Sequence, residues 1–208
     1  MRTALVAMIL ALGAIPALAQ SDETRKLVSQ WEYYAEVTGN FVPDGGDYAA
    51  PVIMADRDWL HLEARYNYED QNTTSVWGGY SFKSGGDESL VVTPMLGGVF
   101  GDTDGVAAGV EVIADWKRLD LYVEGEHLFA SGDDEEDFTY FWSELTYRAS
   151  DWFRAGLVSQ RTRAIETDVG VMRGALVVLT FENVYLYTSL FEPGSDDETL
   201  VVSLGAEF

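Results

Sequence analysis

The last ten residues of the chain alternate between two kinds of side chain: Thr199-Leu200-Val201-Val202-Ser203-Leu204-Gly205-Ala206-Glu207-Phe208. Counting back from the C terminus, one face is apolar throughout and carries Phe208, Ala206, Leu204, Val202 and Leu200. The other face is mostly small or polar. Successive side chains of a β-strand point to opposite faces, so this period of two predicts a strand. Its length matches the ~9–11 residues with which a tilted strand crosses a bilayer.

The same alternation recurs upstream in segments that are spaced regularly. Candidate strand starts lie near Trp59, Leu90, Leu121, Phe153 and Tyr185. Each start follows a short polar turn, and each strand runs into an acidic or Gly-rich loop before a return strand. A further hairpin near Val28, with its return at Tyr48 to Ala55, gives about twelve strands; without that return the count is ten. Segments 172–181 and 184–191 are apolar on both faces, so their orientation stays open.

No apolar stretch after residue 20 approaches the length of a membrane-spanning helix. A chain without such a helix can span a membrane only as a closed barrel, which satisfies every backbone hydrogen bond internally. The apolar faces carry aromatic residues near strand ends, among them Tyr66, Tyr68 and Trp116, as an interfacial girdle would. The predicted fold is therefore all-β: a single antiparallel transmembrane up-and-down β-barrel. A soluble periplasmic barrel of lipocalin type is the alternative.

The N terminus predicts export. Arg2 precedes an apolar run that ends at an Ala17-Leu18-Ala19 cleavage site. The run is short of the ~20 residues of a membrane anchor. We expect a cleaved signal peptide at 1–19, a short periplasmic segment at 20–29 and the barrel at 30–208, in the outer membrane of a Gram-negative bacterium.

With both ends in view, the chain resembles bacterial outer-membrane β-barrel proteins as a class. The resemblance is carried by the Ala17-Leu18-Ala19 signal and by the alternating strand that ends on Phe208. It implies that Leu200, Val202, Leu204, Ala206 and Phe208 are read by the barrel-assembly machinery. By size and strand count, the chain looks like the small twelve-stranded channels, including those for acidic oligosaccharides. It departs from them in charge, because they present many basic residues to the lumen.

The polar faces predict the lining of the lumen. By parity, the ionisable residues that point inward are Glu32, Glu36, His61, Glu63, Arg65, Glu111, Asp115, Asp120, Glu124, Glu126, Glu144, Arg148 and Arg154. Acids outnumber bases, which favours a porin-like channel that prefers cations and passes small solutes by diffusion. The alternative is a closed structural or adhesive barrel, in which Glu and Arg pair across the lumen and plug it. Aromatic residues including Trp59, Trp77, Trp142 and Trp152 are expected to narrow the bore.

Other functions find weaker support in the sequence. His127 and Ser143 share the outward face, and a symmetric hairpin would place Ser143 opposite Gly125, diagonal to His127, as in a lipid hydrolase. No His-x-Ser pair lies on one strand, so we predict no catalytic residues. The acidic run at 133–137 completes no calcium-loop spacing, and no metal or cofactor is predicted.

The charge and the fold together limit the partners. The formal net charge of −22 argues against nucleic-acid binding and against electrostatic attraction to anionic lipid. The expected partners are outer-membrane lipid, including lipopolysaccharide, and the barrel-assembly machinery. The sequence gives no oligomeric state.

Overall fold

The structure, a computed structural model, describes residues 30–42, 46–86, 88–131, 137–164 and 170–208, without the side chains of 162–170. The predicted signal peptide at 1–19, the segment at 20–29 and the acids at 133–136 lie outside these residues. Residues 31–208 form one compact unit. Within the described ranges, no helix is long and apolar enough to cross a membrane.

The described chain is built from thirteen antiparallel strands. They are β1 (Glu32–Phe41), β2 (Tyr48–Arg57), β3 (Leu60–Tyr66), β4 (Thr74–Tyr80), β5 (Phe82–Gly85), β6 (Ser89–Phe100), β7 (Gly105–Trp116), β8 (Leu119–Ala130), β9 (Phe138–Ser150), β10 (Phe153–Ala164), β11 (Gly170–Phe181), β12 (Val184–Phe191) and β13 (Thr199–Glu207). Apart from β4 and β5, which both pair with β6, each strand pairs with its neighbours in sequence order, which confirms the up-and-down topology.

Strands β4 and β5 occupy one position in the barrel. Gly79 of β4 lies opposite Met95 of β6, and Phe82 of β5 lies opposite Val92 of β6 in the same register. The break between them is one residue, Ser81. The barrel therefore has twelve strand positions, as predicted. The ten-strand alternative is wrong, because Tyr48–Arg57 is a full strand paired with both β1 and β3.

The C-terminal strand closes the barrel. β13 pairs with β1 from Tyr34 and Glu207 to Phe41 and Leu200. Tyr33 and Phe208 extend this pairing with two backbone hydrogen bonds of 3.0 Å, and their rings stack at 6.1 Å. No free edge remains between the first and last strands, so the sheet presents no edge for aggregation there.

The two ends of the barrel differ. At one end, which we call the turn end, Arg57 faces Leu60, Trp116 faces Leu119 and Phe181 faces Val184 across two-residue turns. Asp58, Lys117 and Glu182 adopt the positive φ that such tight hairpins require. The longer connections, such as 67–73 and 192–198, lie at the opposite end, the loop end.

The faces of the strands are inverted relative to a soluble barrel. Leu157 on the outer wall is 68% exposed, whereas Glu124 on the inner wall is 1% exposed. Large apolar residues cover the outside of every part of the barrel, and polar residues are buried inside it. This is the arrangement of a membrane barrel, and it disfavours the soluble alternative.

Aromatic side chains gather near both ends of the outer wall. Trp59 stacks on Tyr80 at 5.1 Å near the turn end, while Tyr66 and Phe100 are exposed near the loop end. The prediction that Tyr68 continues the outward face of β3 is wrong. Asn67 takes a left-handed φ of 55°, which ends the alternation and turns the Tyr68 ring inward.

Strands β11 and β12 are apolar on both faces because the interior is apolar beside them. Leu176, Val178 and Phe191 point inward and are buried in one cluster with Val158 and Val201. Their neighbours in sequence point to the outside. The inner face of these strands therefore packs in the apolar cluster, and their outer face belongs to the apolar outer wall.

Candidate functional site

A cavity of about 580 Å³ lies inside the barrel. Its lining includes Asn40 and Tyr48 near the loop end, and Asp56, Asp115 and Glu207 near the turn end. The lining therefore reaches both ends of the barrel. It is formed largely by the inner faces of β1, β2, β8, β9, β12 and β13.

Two carboxylates on the cavity wall take their hydrogen bonds from neutral groups. Glu36 accepts from the Tyr34 hydroxyl at 2.5 Å and from the Thr38 hydroxyl at 2.9 Å. Glu144 accepts from the indole nitrogen of Trp142 at 2.9 Å. Neutral donors hold these carboxylates in place without cancelling their charge.

Tyrosine supplies the same kind of support on β8, where Tyr122 lies directly beside Glu144 of β9. The Tyr122 hydroxyl donates to Glu111 Oε1 at 2.8 Å and lies 3.2 Å from Glu124 Oε2. Tyr140 and Tyr187 also line the cavity. The cavity is therefore bordered by aromatic hydroxyls as well as by carboxylates, and both groups can form hydrogen bonds with a polar solute.

One side of the interior is filled by a buried ion cluster, which we call the Arg65 cluster: Arg65 with Glu63, Glu69, Glu124 and Glu126. The guanidinium binds Glu63 through two hydrogen bonds of 2.8 and 2.9 Å. Its Nη1 lies 2.7 Å from Glu124 Oε1 and 3.1 Å from Glu126 Oε2. The bidentate geometry is the strongest form of such a pair.

Aromatic rings enclose the guanidinium of the Arg65 cluster. The rings of Tyr68 and Trp77 lie 4.3 and 4.9 Å from the Arg65 guanidinium carbon. The Tyr68 hydroxyl donates to Glu124 at 2.6 Å. Burial, followed by the nearby Glu124 carboxylate, raises the pKa of Tyr68 well above its usual range, so the hydroxyl stays protonated as a donor.

Apolar packing continues beside the Arg65 cluster. Trp77, Met95, Val99, Ala107 and Leu128 form a buried group on the inner faces of β4 and β6 to β8. This sector of the barrel is packed like the core of a small globular protein. The cavity therefore runs along the opposite sector and meets the Arg65 cluster only through Glu63 and Glu124.

A second ionic group lies at the turn end. Arg148 binds Asp120 and lies 3.0 Å from Asp115 Oδ1, and Arg154 lies 3.8 Å from Asp120 Oδ2. The Arg154 guanidinium also donates to the Tyr187 hydroxyl at 3.2 Å. These two arginines offset part of the negative charge at this end.

His61 is buried on the inner wall between carboxylates. Its Nδ1 lies 3.0 Å from Asp56 Oδ1, and its Nε2 lies 3.6 Å from Glu63 Oε2 and 4.0 Å from Glu111 Oε2. Within the described part of the chain, no group of three or more His, Asp or Glu side chains is arranged to hold a metal ion.

The predicted lumen residues occupy four kinds of position. Those that line the cavity are Glu36, Glu63, Glu111, Asp115, Asp120, Glu124, Glu144 and Arg154. His61, Arg65 and Glu126 are buried in the inner wall, and Arg148 lies among the acids of the turn end. Glu32 lies exposed near the turn end and does not line the cavity.

Sequence reasoning missed several residues of the interior. Asp56 and Glu207 line the cavity and share the inward parity of β2 and β13, so alternation alone could have found them. Glu69 lies three residues beyond the end of β3 and enters the Arg65 cluster from a loop. Trp59 and Trp152, predicted to narrow the bore, are instead exposed residues of tight turns.

The arrangement proposed for a lipid hydrolase is wrong in register. Ser143 lies opposite Val123 and not opposite Gly125. Leu128 pairs with Phe138, whereas a hairpin symmetric about 131–137 would pair Ala130 with Phe138. Ser143 is consequently roughly 13 Å along the sheet from the level of His127. His127 instead contacts the Thr139 hydroxyl at 2.8 Å.

Comparisons with known proteins bear on the fold. No protein-family model and no curated protein matches the chain. The KdgM porin in complex with disordered oligogalacturonate is 11% identical, with a TM-score of 0.58, and the match covers 84% of this chain and 98% of that one. A NanC porin structure in a rhombohedral crystal form is 12% identical, with a TM-score of 0.56 and the same coverage. This chain therefore has the barrel fold of bacterial outer-membrane porins.

Proposed function

We propose that this protein is a small outer-membrane diffusion channel with an acidic water path that favours cations over anions. The single observation that carries the proposal is the cavity, whose lining reaches from Asn40 at the loop end to Glu207 at the turn end. The apolar outer wall with its aromatic belts supports an outer-membrane setting.

The charge of the path supports the preference for cations. Glu36 and Glu144 line the cavity and accept hydrogen bonds from neutral donors, which do not cancel the charge of a carboxylate. The positive charge of Arg65, by contrast, is paired with the carboxylates of the Arg65 cluster and does not offset the charge of Glu36 or Glu144. A wet lumen lined by uncompensated carboxylates lowers the energy of a passing cation and raises that of an anion.

The ligand found with the KdgM porin is a poor candidate for this chain. Oligogalacturonate carries carboxylates, and the carboxylates on this cavity wall would repel it. Small cations and neutral solutes fit the lining better. The shared fold therefore supports a channel, while the side chains on the cavity wall favour a different solute.

The proposal is tested by planar-bilayer recording of the folded, reconstituted protein under a potassium chloride gradient. We expect discrete conductance steps and a reversal potential displaced toward the potassium equilibrium potential. Absence of steps from correctly folded protein would contradict the channel and favour the closed structural or adhesive barrel. Conductance steps whose reversal potential is displaced toward the chloride equilibrium potential would contradict the preference for cations.

A further inference from the structure

Lysine and arginine are scarce in the half of the barrel next to the loop end. Among the described side chains of that half, Arg65 is buried in the interior, and Arg161 and Arg173 are exposed on the outer wall. No described residue forms an ion pair with either of these two arginines within 4 Å. Arg161 and Arg173 thus place unpaired positive charge on the outer wall of a strongly acidic chain.

The register of β10 and β11 makes the two arginines neighbours. Arg161 lies opposite Val171, and Ser159 lies opposite Arg173, so the arginines are diagonal to each other. Diagonal side chains in an antiparallel pair are roughly 7–8 Å apart, within reach of one shared ligand. Both point outward, because Gln160 lines the cavity and Met172 packs against the inner cluster.

The position along the strands places the pair at the border of the apolar band. From Phe153 at the turn end, the outer wall of β10 continues through Leu157, and Arg161 lies about 26 Å further along the strand than Phe153. With a tilt of about 40°, this is roughly 20 Å of height, near the top of an apolar band about 25 Å tall. Bacterial outer-membrane barrels have short periplasmic turns and longer extracellular loops, so the loop end faces the outside and the arginines lie close to the headgroups of the outer leaflet.

We propose that Arg161 and Arg173 form a binding site for the phosphate groups of an outer-leaflet lipid of the lipopolysaccharide class. Guanidinium groups bind phosphate through paired, charge-assisted hydrogen bonds. An anion between two adjacent arginines also removes their mutual repulsion. The proposal rests on the outer-membrane setting and is independent of channel activity.

Neighbouring polar groups fit this assignment. The hydroxyl of Ser159, directly across from Arg173 on the outer wall, offers a further donor. Among the described acids, Glu192 lies nearest in the strand register, and its Oε1 accepts a hydrogen bond of 2.8 Å from the backbone nitrogen of Arg173. This carboxylate keeps its charge but forms no ion pair within 4 Å with the Arg173 guanidinium, so the donors of the guanidinium are left for the lipid.

The test measures lipid binding by native mass spectrometry of the detergent-solubilised barrel. The probes are bisphosphorylated lipid A, the same lipid after enzymatic dephosphorylation, and inorganic phosphate as a competitor. The variant pair is Arg161→Gln with Arg173→Gln. The matched control, Lys117→Asn with Arg118→Gln, removes the same charge from the turn end, and Asn tolerates the positive φ of Lys117.

We expect the unmodified protein to bind the phosphorylated lipid about tenfold or more tightly than the dephosphorylated lipid, as charge-assisted hydrogen bonds would give. The Arg161 and Arg173 variant should lose this preference, and the turn-end control should keep it. Equal binding of both lipids by the unmodified protein would overturn the proposal, as would an equal loss in the control. Displacement of lipid A by millimolar inorganic phosphate would identify a free anion as the ligand instead. The comparison of lipids on the unmodified protein stands even if the variant fails to fold.

Discussion

Replacing Glu36 and Glu144 by Gln would remove two negative charges from the cavity wall and keep the shape of both side chains. Glu36 lies on β1, and Glu144 lies on β9 across the barrel. Their donors, the Tyr34 hydroxyl and the Trp142 indole, can still bond to an amide oxygen. The change therefore isolates charge from packing.

The size of the effect follows from the geometry of a narrow, wet path. An ion that passes about 5 Å from a carboxylate in water interacts with it by about 0.8 kcal/mol. Screening at physiological ionic strength, with a Debye length of about 8 Å, reduces this to about 0.4 kcal/mol. A cation is stabilised and an anion destabilised by this amount, so each carboxylate changes the permeability ratio by roughly fourfold, and two change it by on the order of 15- to 20-fold.

The assay is the reversal potential in a potassium chloride gradient, measured for the unmodified channel and for the Glu36→Gln, Glu144→Gln double variant. We expect the reversal potential of the variant to move toward zero. Glu88→Gln with Glu182→Gln is the control, because these exposed acids lie at the turn end and do not line the cavity. The permeability ratio of cation to anion is calculated from the reversal potential. A change of less than about twofold in this ratio in the double variant would refute the reasoning, since charges at this distance cannot act so weakly.

Two predictions concern the filled sector of the barrel. Arg65→Met would leave the buried Glu124 and its neighbours without their cation, so we expect a loss of about 3–5 kcal/mol of unfolding free energy in urea; unchanged stability would show that the Arg65 cluster is solvated. Gly97→Ala would bring a Cβ to 2.5 Å from the buried Trp77 ring, and we expect a destabilisation of about 1–3 kcal/mol in the same assay. Gly78→Ala, whose new Cβ would meet only Leu62 at 4.0 Å, should be close to neutral, and an equal loss in both glycine variants would contradict the role of the ring.

Much of the wall could be predicted from local pattern alone. Alternation along β3, β7 and β13 is set by the backbone geometry of a strand, so it assigned Glu63, Glu111 and Leu204 to their faces without knowledge of any partner. The regular hairpin spacing predicted the strand positions for the same reason. Local pattern failed at Tyr68, where the left-handed turn at Asn67 ended the alternation.

The register between strands required the structure. A shift of two residues in the β8–β9 hairpin keeps every side chain on its face, so no sequence pattern distinguishes the two registers. The same shift separates Ser143 from His127 and removes the arrangement on which a hydrolase would depend.

The sequence by itself determined that this chain is built from strands with one apolar and one polar face, because a period of two is a local property. Only the tertiary structure decided how the interior is divided. Arg65 and Glu126 lie 61 residues apart in the chain and meet at 3.1 Å, and their cluster fills one sector while the cavity occupies the other. The physical reason is that a strand fixes the direction of a side chain, whereas its partner across the lumen depends on closure of the whole sheet.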